Sequence, residues 1–266
     1  MRSTACCDGT WAPEGDHFEA VPLPAPVPGL HLQADGPAPA AACVVEQGLI
    51  ERAAEGGAVS ALWEPLPALV VPGSYRRFKQ FDAACALSAA QGWPVSVRRS
   101  GGGLVPQGAG TVNLSLAWRT RARMGDAMEA VYTRLCGLLQ QAIRPFGLAT
   151  TLQAVQGSFC DGRFNLAVGG RKVAGTAQYW RRLSASEHVV LAHACLMVEA
   201  DLAGLTAQAN AFEAALGSGR VYRVEAIANL VPAPHDRPLA VDGLPLNTSN
   251  MLYLLGEATR LGDVLC

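Results

Sequence analysis

Apolar residues recur every three or four positions in some segments of this chain and every second position in others. Val45, Leu49 and Ala53 are spaced by four and precede Gly56-Gly57, which is typical of an amphipathic helix that ends at glycine. Similar spacing, alanine content or end signals predict further helices over residues 81–92, 126–147, 206–219 and 247–264.

Strands are predicted where apolar residues alternate or form short runs closed by proline and glycine. In "TVNLSLAW" apolar residues alternate with Asn113 and Ser115, so we expect a half-buried strand with these two side chains on the other face. Gly169-Gly170 divides "RFNLAVGGRKVAG" into two strands, because paired glycines tolerate the positive φ of a tight hairpin. Helices mixed with hairpins predict an α+β fold, with a mixed, mostly antiparallel sheet flanked by helices.

The distribution of proline divides the chain. Residues 1–40 include "VPLPAPVPGL", which predicts an extended, proline-rich N-terminal arm. We expect residues 41–240 to form the main domain and residues 241–266 to contribute a C-terminal helix packed on that domain.

Composition excludes several classes of partner. The net charge of −1 gives no reason to expect nucleic acid. The N-terminus lacks the apolar core of a secretory signal and no run is long enough to span a bilayer, so we expect a cytoplasmic protein without a membrane partner. The 8 cysteines lack metal-ligand spacing, the adjacent Cys6 and Cys7 included, so no metal site is predicted.

The stretch "RRSGGGLVPQGAG" is the most unusual in the chain. A glycine run loses conformational entropy on folding, so it is kept where backbone bends sharply or approaches another group closely. It indicates either a flexible loop or a wall of backbone N–H groups over a carbonyl, phosphate or acyl chain. A P-loop, a dinucleotide-binding fingerprint and a G-x-S-x-G elbow are all absent.

Two further residues could carry chemistry. Lys172 follows the predicted hairpin turn in a chain that otherwise uses arginine for nearly all of its 21 basic residues. Lysine is a compact charge that can lose its proton when desolvated, which suits a base or an oxyanion partner, although most lysines are solvated surface charges. Cys160 lies between Gly157 and Gly162 on a predicted exposed turn, where a nearby ammonium would favour a nucleophilic thiolate over an inert thiol.

Together these segments resemble the lipoate-protein ligase A, octanoyltransferase and biotin ligase superfamily. The signature R-x-S/T-G-G-G-x-V, followed by G-x-x-N-x-S, is matched by Arg98, Ser100, Gly101, Gly102, Gly103, Val105, Gly110, Asn113 and Ser115. A second signature, G-R/K-K-I/V-x-G-S/T-A-Q/Y, is matched by residues 170–178. Weaker similarity covers most of the chain between the arm and the closing helix.

The resemblance implies both a fold and roles. Lys172 would contact the acyl carbonyl, and the partner would be a lipoyl domain or an H-protein-type acyl carrier that receives an octanoyl or lipoyl group. The residues expected to bind acyl group or substrate are Arg98, Arg99, Gly101, Gly102, Gly103, Val105, Asn113, Ser115, Asn165, Gly175, Thr176 and Ala177.

Two branches of the superfamily use different chemistry. "GSFCDG" resembles the G-S-F/Y-C-P-G segment of a cysteine-dependent amidotransferase branch, with Asp161 replacing proline. This implies Cys160 as acyl acceptor, Lys172 as base or oxyanion partner, and no cofactor. The alternative is a lipoate-protein ligase that uses ATP and Mg²⁺. Gln107 and Asn165 depart from the common His and Asp, which weakens the ATP hypothesis and motivates a third, a non-catalytic protein that binds acyl chains or lipoyl domains. Biotin ligation fits the motif spelling less well.

Overall fold

The computed structural model describes residues 19–20, 41–231 and 245–260. The proposed arm over residues 1–40, with Cys6 and Cys7, therefore lies outside the described residues except for one short strand. The helices are α1 Ala41–Glu55, α2 Phe81–Ala90, α3 Met124–Ile143, α4 Leu202–Leu216 and α5 Thr248–Arg260. The strands are β1 Glu19–Ala20, β2 Ala58–Trp63, β3 Ala68–Pro72, β4 Val95–Arg98, β5 Val105–Gln107, β6 Thr111–Thr120, β7 Thr150–Leu152, β8 Leu166–Val168, β9 Arg171–Arg182 and β10 His188–Met197.

These strands form two sheets. The larger has seven strands in the order β1-β2-β6-β10-β9-β8-β7, and its neighbours are antiparallel except for the parallel pair β1 and β2. The smaller has three in the order β4-β3-β5, with β3 parallel to β4 and antiparallel to β5. The predicted α+β class is confirmed, whereas the division into two sheets was not predicted.

Helices cover both faces of the larger sheet. Buried residues of α3 and α5 pack against one face, and those of α1 pack against the other, over β2, β6 and β10. Helices α2 and α4 pack with the smaller sheet around a separate apolar cluster. None of the described helices combines the length and apolar character needed to cross a membrane. The division into an arm, a main domain and a closing helix stays a prediction.

Strand β6 differs from the expectation in one respect. Val112, Leu114 and Leu116 face the α3 side and Asn113 and Ser115 face the other way, as the alternation predicts. The expectation of a half-buried strand is wrong, because Asn113 and Ser115 are both 0% exposed. Helix α1 and the side chain of Gln107 on β5 cover this second face.

The predicted hairpin forms at Gly169 and Gly170, with φ of 55° and 77° respectively. Both values lie in the left-handed region that a type I′ hairpin turn requires and that glycine adopts without steric cost. In the pair of β8 and β9, which this turn joins, the register shifts between Leu166 and Ala167, so that Ala167 pairs with Lys172. A bulge of this kind redirects side chains, and it lies next to the lysine singled out by the sequence.

Candidate active site

Cys160 lies in a turn held in an uncommon backbone conformation. Its φ of 48° makes it the one non-glycine residue with positive φ among those the structure describes. Its carbonyl oxygen accepts hydrogen bonds from the Gly162 N–H at 2.8 Å, Lys172 Nζ at 3.0 Å and Asn165 Nδ2 at 3.1 Å. Such a conformation persists only where surrounding contacts enforce it, and it is concentrated at functional sites.

Lys172 is buried beneath this turn. Its side chain is 3% exposed, and Nζ donates hydrogen bonds to the carbonyls of Phe159 and Cys160. Burial lowers the pKa of Lys172 from the ordinary 10.5 to about 8, while the nearby Cys160 and other acidic groups act in the opposite direction. A Cβ on Gly175 would lie 2.9 Å from Nζ, so the glycine leaves room for the ammonium.

The glycine-rich loop closes over the thiol. The Gly103 N–H donates to Cys160 Sγ at 3.2 Å, a contact that stabilises negative charge on sulfur. Arg98 fixes the shape of the loop, because its guanidinium donates to the carbonyls of Val70 at 2.9 Å, Gly101 at 2.9 Å and Gly103 at 2.6 Å. The loop is therefore tied down rather than flexible.

A buried tyrosine holds the next residue of the loop. Tyr75 Oη accepts from the Leu104 N–H at 3.2 Å and from Arg220 Nη1 at 2.7 Å, and it donates to Glu213 Oε1 at 2.6 Å. Tyr222 donates to the same carboxylate oxygen at 2.7 Å. Burial and the carboxylate raise the pKa of both tyrosines, which keeps them protonated as donors. Sequence reasoning missed this network, because its members share no local motif.

A largely apolar cavity extends inward from the thiol and the ammonium. It is lined by Cys43, Glu46, Val70, Arg98, Val105, Pro106, Gln107, Phe159, Cys160, Lys172, Gly175, Thr176, Ala177, His193, Cys195 and Met197. On its other side Cys160 borders an open cleft, together with Gly102, Gly103, Asp161 and Arg220. Cys160 therefore lies between a largely apolar cavity and a second cleft with a more polar lining.

The structure gathers most of the predicted site residues around this cavity. Those that line it are Arg98, Val105, Cys160, Lys172, Gly175, Thr176 and Ala177. Gly102 and Gly103 face the outer cleft, and Gly101 contributes its carbonyl to Arg98. Asn165 contacts the cysteine turn through its bond to the Cys160 carbonyl. Arg99 lies away from the cavity, at an exposed position where it donates to Gln47 Oε1 at 3.0 Å.

Asn113 and Ser115 support residues of the cavity wall. The amides of Asn113 and Gln107 exchange two hydrogen bonds of 3.2 Å each, which satisfies both buried side chains. Ser115 Oγ lies 2.8 Å from His193 Nδ1. Within the part of the chain that the structure describes, no group of three or more His, Cys, Asp or Glu side chains is arranged to hold a metal ion.

Sequence reasoning also missed a buried acid–imidazole pair in the wall. Glu46 Oε1 on α1 lies 3.1 Å from His193 Nδ1 on β10. Burial raises the pKa of Glu46 to about 7 and lowers that of His193 to about 3, with the charge of Arg98 adding to the second effect. The only sequence signal was an acidic residue next to the apolar stripe of α1, and that position is ordinarily solvated.

Comparison with known proteins gives a consistent result. Residues 38–235 match the family described as the lipoyl protein ligase A/B catalytic domain. An uncharacterized protein of Cupriavidus necator is 50% identical over 188 residues, which cover 66% of this chain and 74% of that protein. An octanoyl-[GcvH]:protein N-octanoyltransferase of Kyrpidia tusciae is 34% identical over 179 residues, covering 65% of this chain and 62% of that relative.

Solved structures resemble the chain in fold. A crystal structure of lipoate-protein ligase A bound with ATP superposes with a TM-score of 0.55 over 80% of this chain and 77% of that one. The two sequences are 16% identical there, so the likeness concerns the fold alone.

Proposed function

Because the chain belongs to the lipoyl protein ligase A/B catalytic domain family, we propose that it transfers an octanoyl or lipoyl group to the acceptor lysine of a lipoyl domain or H-protein-type carrier. This membership confirms the resemblance drawn from the two sequence signatures. The observation that carries the proposal is that Cys160 and Lys172 line one largely apolar cavity, while the Gly103 N–H donates to Cys160 Sγ from the side of the outer cleft. The octanoyltransferase of Kyrpidia tusciae adds support, although the match spans 62% of its length.

In the first step, Cys160 accepts the acyl group from a carrier. The thiolate attacks the acyl carbonyl, a bond forms between Sγ and the acyl carbon, and the bond between that carbon and the donor's leaving atom breaks. The proton of the thiol ends on the leaving group. The product is an acyl thioester at Cys160 with its chain in the cavity and a donor carrier free to dissociate.

In the second step, the amine of the acceptor lysine attacks the thioester carbonyl. A carbon–nitrogen bond forms, the carbon–sulfur bond breaks, and the proton lost by the amine returns to Cys160 sulfur. Bond cleavage at a donor thioester or amide therefore replaces activation by a nucleotide. Both steps pass through a tetrahedral intermediate at the same carbonyl carbon, so Cys160 and Lys172 can serve both.

Lys172 has two roles in these steps. Each tetrahedral intermediate carries negative charge on a former carbonyl oxygen, and a fixed ammonium stabilises that charge where water is excluded. Because its pKa is lowered to about 8, which is close to neutral pH, Lys172 can also accept and return the proton that moves in each step. The Gly103 N–H contributes by stabilising the thiolate before attack.

A transfer assay run with and without ATP tests the proposal. With octanoylated carrier as donor and no ATP, intact-protein mass spectrometry should show an adduct of about 126 Da on the wild type. Cys160→Ser should lose both adduct and transfer. Cys85→Ser, which changes a free cysteine on α2 outside the cavity, should keep both.

The contrary outcome is also defined. Turnover that requires free acid and ATP and persists in Cys160→Ser would overturn the thioester route in favour of an ATP-dependent lipoate ligase, in which Lys172 would contact an acyl-adenylate. Binding of fatty acid or lipoyl domain with no transfer from either donor would favour the non-catalytic alternative.

A further inference from the structure

The turn that carries Cys160 also places a carboxylate at the outer cleft. Asp161 follows Cys160 directly, and the Gly162 N–H donates to the Cys160 carbonyl at 2.8 Å, so these residues form a tight three-residue turn centred on Asp161. Asp161 is exposed, and of the described residues that line the outer cleft it is the one that carries a carboxylate. The cleft through which a carrier reaches the sulfur therefore has one acidic side chain, next to the nucleophile.

This carboxylate has no evident structural role. Aspartate side chains in turns commonly accept hydrogen bonds from nearby backbone N–H groups. Among the described residues, however, none forms a hydrogen bond or ion pair with the side chain of Asp161, and Arg163, two positions further on, pairs with Glu129 at 2.8 Å instead. Proline stands at this position in the amidotransferase branch that the segment resembles, so a turn of this kind does not require a charge. The charge is therefore available to a ligand.

The other charged side chains that reach the reacting atoms are cationic. Lys172 lies beneath the turn, and Arg220 lines the cleft, where its guanidinium donates to Tyr75 Oη at 2.7 Å and is linked through that hydroxyl to the buried Glu213. Burial lowers the pKa of Lys172, and the charge of Asp161 is among those that oppose this shift, so the carboxylate acts on the same site. A cationic group that enters the cleft is repelled by Lys172 and Arg220 and attracted by Asp161.

We propose that Asp161 recognises the ammonium of the acceptor lysine and thereby favours this lysine over water and other neutral nucleophiles in the attack on the Cys160 thioester. This inference rests on the proposed function and names the residue that selects the acceptor. The ammonium loses one proton to solvent before attack. The amine then forms the carbon–nitrogen bond and gives a second proton to the Cys160 sulfur as the carbon–sulfur bond breaks.

The carboxylate acts at two stages of this step. It attracts the ammonium as the carrier binds, and it stabilises the positive charge that develops on the attacking nitrogen in the tetrahedral intermediate. After transfer the nitrogen belongs to a neutral amide, so the attraction to Asp161 is lost and the acylated carrier is released more easily. A donor whose acyl group is held as a thioester brings no ammonium, and its reaction with Cys160 is independent of Asp161.

A single-turnover experiment separates the two kinds of substrate. Cys160 is first loaded from the octanoyl thioester of a small neutral thiol, and loss of the adduct is then followed by intact mass after addition of unmodified carrier or of hydroxylamine, a neutral nucleophile. Asp161→Asn should lower the second-order rate constant with carrier about tenfold and leave loading and hydroxylamine cleavage unchanged within about twofold. Asp161→Glu keeps the charge and should recover most of the rate with carrier.

Glu225→Gln is the matched control, because it removes another exposed carboxylate that does not line the cleft, and it should change none of these rates. Raising the ionic strength should reduce the difference between wild type and Asp161→Asn, because salt screens exposed charges. Should Asp161→Asn not fold, Asp161→Ser is tested in its place.

Three outcomes would overturn the inference. Equal rate constants with carrier for wild type and Asp161→Asn refute it while the proposed function stands. An equal loss of rate with carrier and with hydroxylamine in Asp161→Asn would mean that the sulfur is displaced, and would refute recognition of the ammonium. If the wild type takes no acyl group from the thioester or from octanoylated carrier, the proposed function fails and the inference fails with it.

Discussion

Replacing Gly102 with alanine is expected to displace the thiol of Cys160 while leaving most of the fold intact. A Cβ at this position would lie 2.5 Å from Cys160 Sγ and 3.1 Å from Arg98 Nη2. Gly102 also has a φ of 103°, which residues with a side chain rarely adopt. The loop therefore needs glycine for two separate reasons.

The size of the effect follows from these values. Non-bonded heavy atoms prefer separations of about 3.5–4.0 Å, so Sγ or the loop must move by roughly 1 Å. A displacement of that size at a reacting atom costs about 100-fold in rate. The strained backbone should also lower the free energy of unfolding by roughly 1–3 kcal/mol.

Gly101→Ala is the matched control, because a Cβ at Gly101 would meet no atom within 4 Å. The rate of Cys160 acylation by octanoylated carrier, followed by intact mass, should fall about 100-fold in Gly102→Ala and change little in Gly101→Ala. Urea unfolding of both variants reports the stability cost. Equal acylation rates in two folded variants would refute the argument that the loop positions the thiol.

Three further predictions concern charge, the tyrosine network and a helix cap. Burial lowers the pKa of Lys172 from 10.5 to about 8, so between pH 8 and pH 10.5 the unfolded chain binds more protons than the folded one. The free energy of unfolding should therefore increase as the pH is raised through this range, by at most about 3 kcal/mol. Urea titrations at several pH values should show this increase, and Lys172→Met should reduce it. Tyr75→Phe leaves the Leu104 N–H without its partner and should lower the free energy of unfolding by about 1–3 kcal/mol. Because Leu104 follows Gly103, whose N–H contacts Cys160 Sγ, the change should also slow alkylation of Cys160 by iodoacetamide. Unchanged alkylation would contradict the positioning role. Asp201 accepts from the Gly204 N–H at 3.0 Å as the N-cap of α4, so Asp201→Ala should cost about 1 kcal/mol in urea unfolding, and no loss would argue against the cap.

Local patterns predicted the elements that depend on local physics. The hairpin at Gly169 and Gly170 could be predicted because the turn needs positive φ at both residues, and the adjacent glycines announce it. The alternation in β6 correctly separated Asn113 from the apolar face. Its full burial could not be predicted, because helix α1, which covers much of the second face, comes from another part of the chain.

The chemistry divides in the same way. Cys160 and Lys172 lie in short segments with distinctive neighbours, so the sequence alone could nominate both. Glu46 and His193 lie far apart in sequence, within a helix and a strand of ordinary pattern, and only the packing of α1 on the sheet brings them to 3.1 Å. A residue whose role depends on a distant partner leaves no local signal.

The position of Cys160 between the inner cavity and the outer cleft has a kinetic consequence. An acyl group attached to this sulfur would keep its chain in the inner cavity while the carrier proteins bind at the outer cleft. Donor and acceptor carriers would then bind the same cleft in sequence and not together. Initial rates measured at several fixed concentrations of one carrier should then give parallel lines in double-reciprocal plots. A high concentration of either carrier should inhibit competitively against the other, because both bind the same cleft.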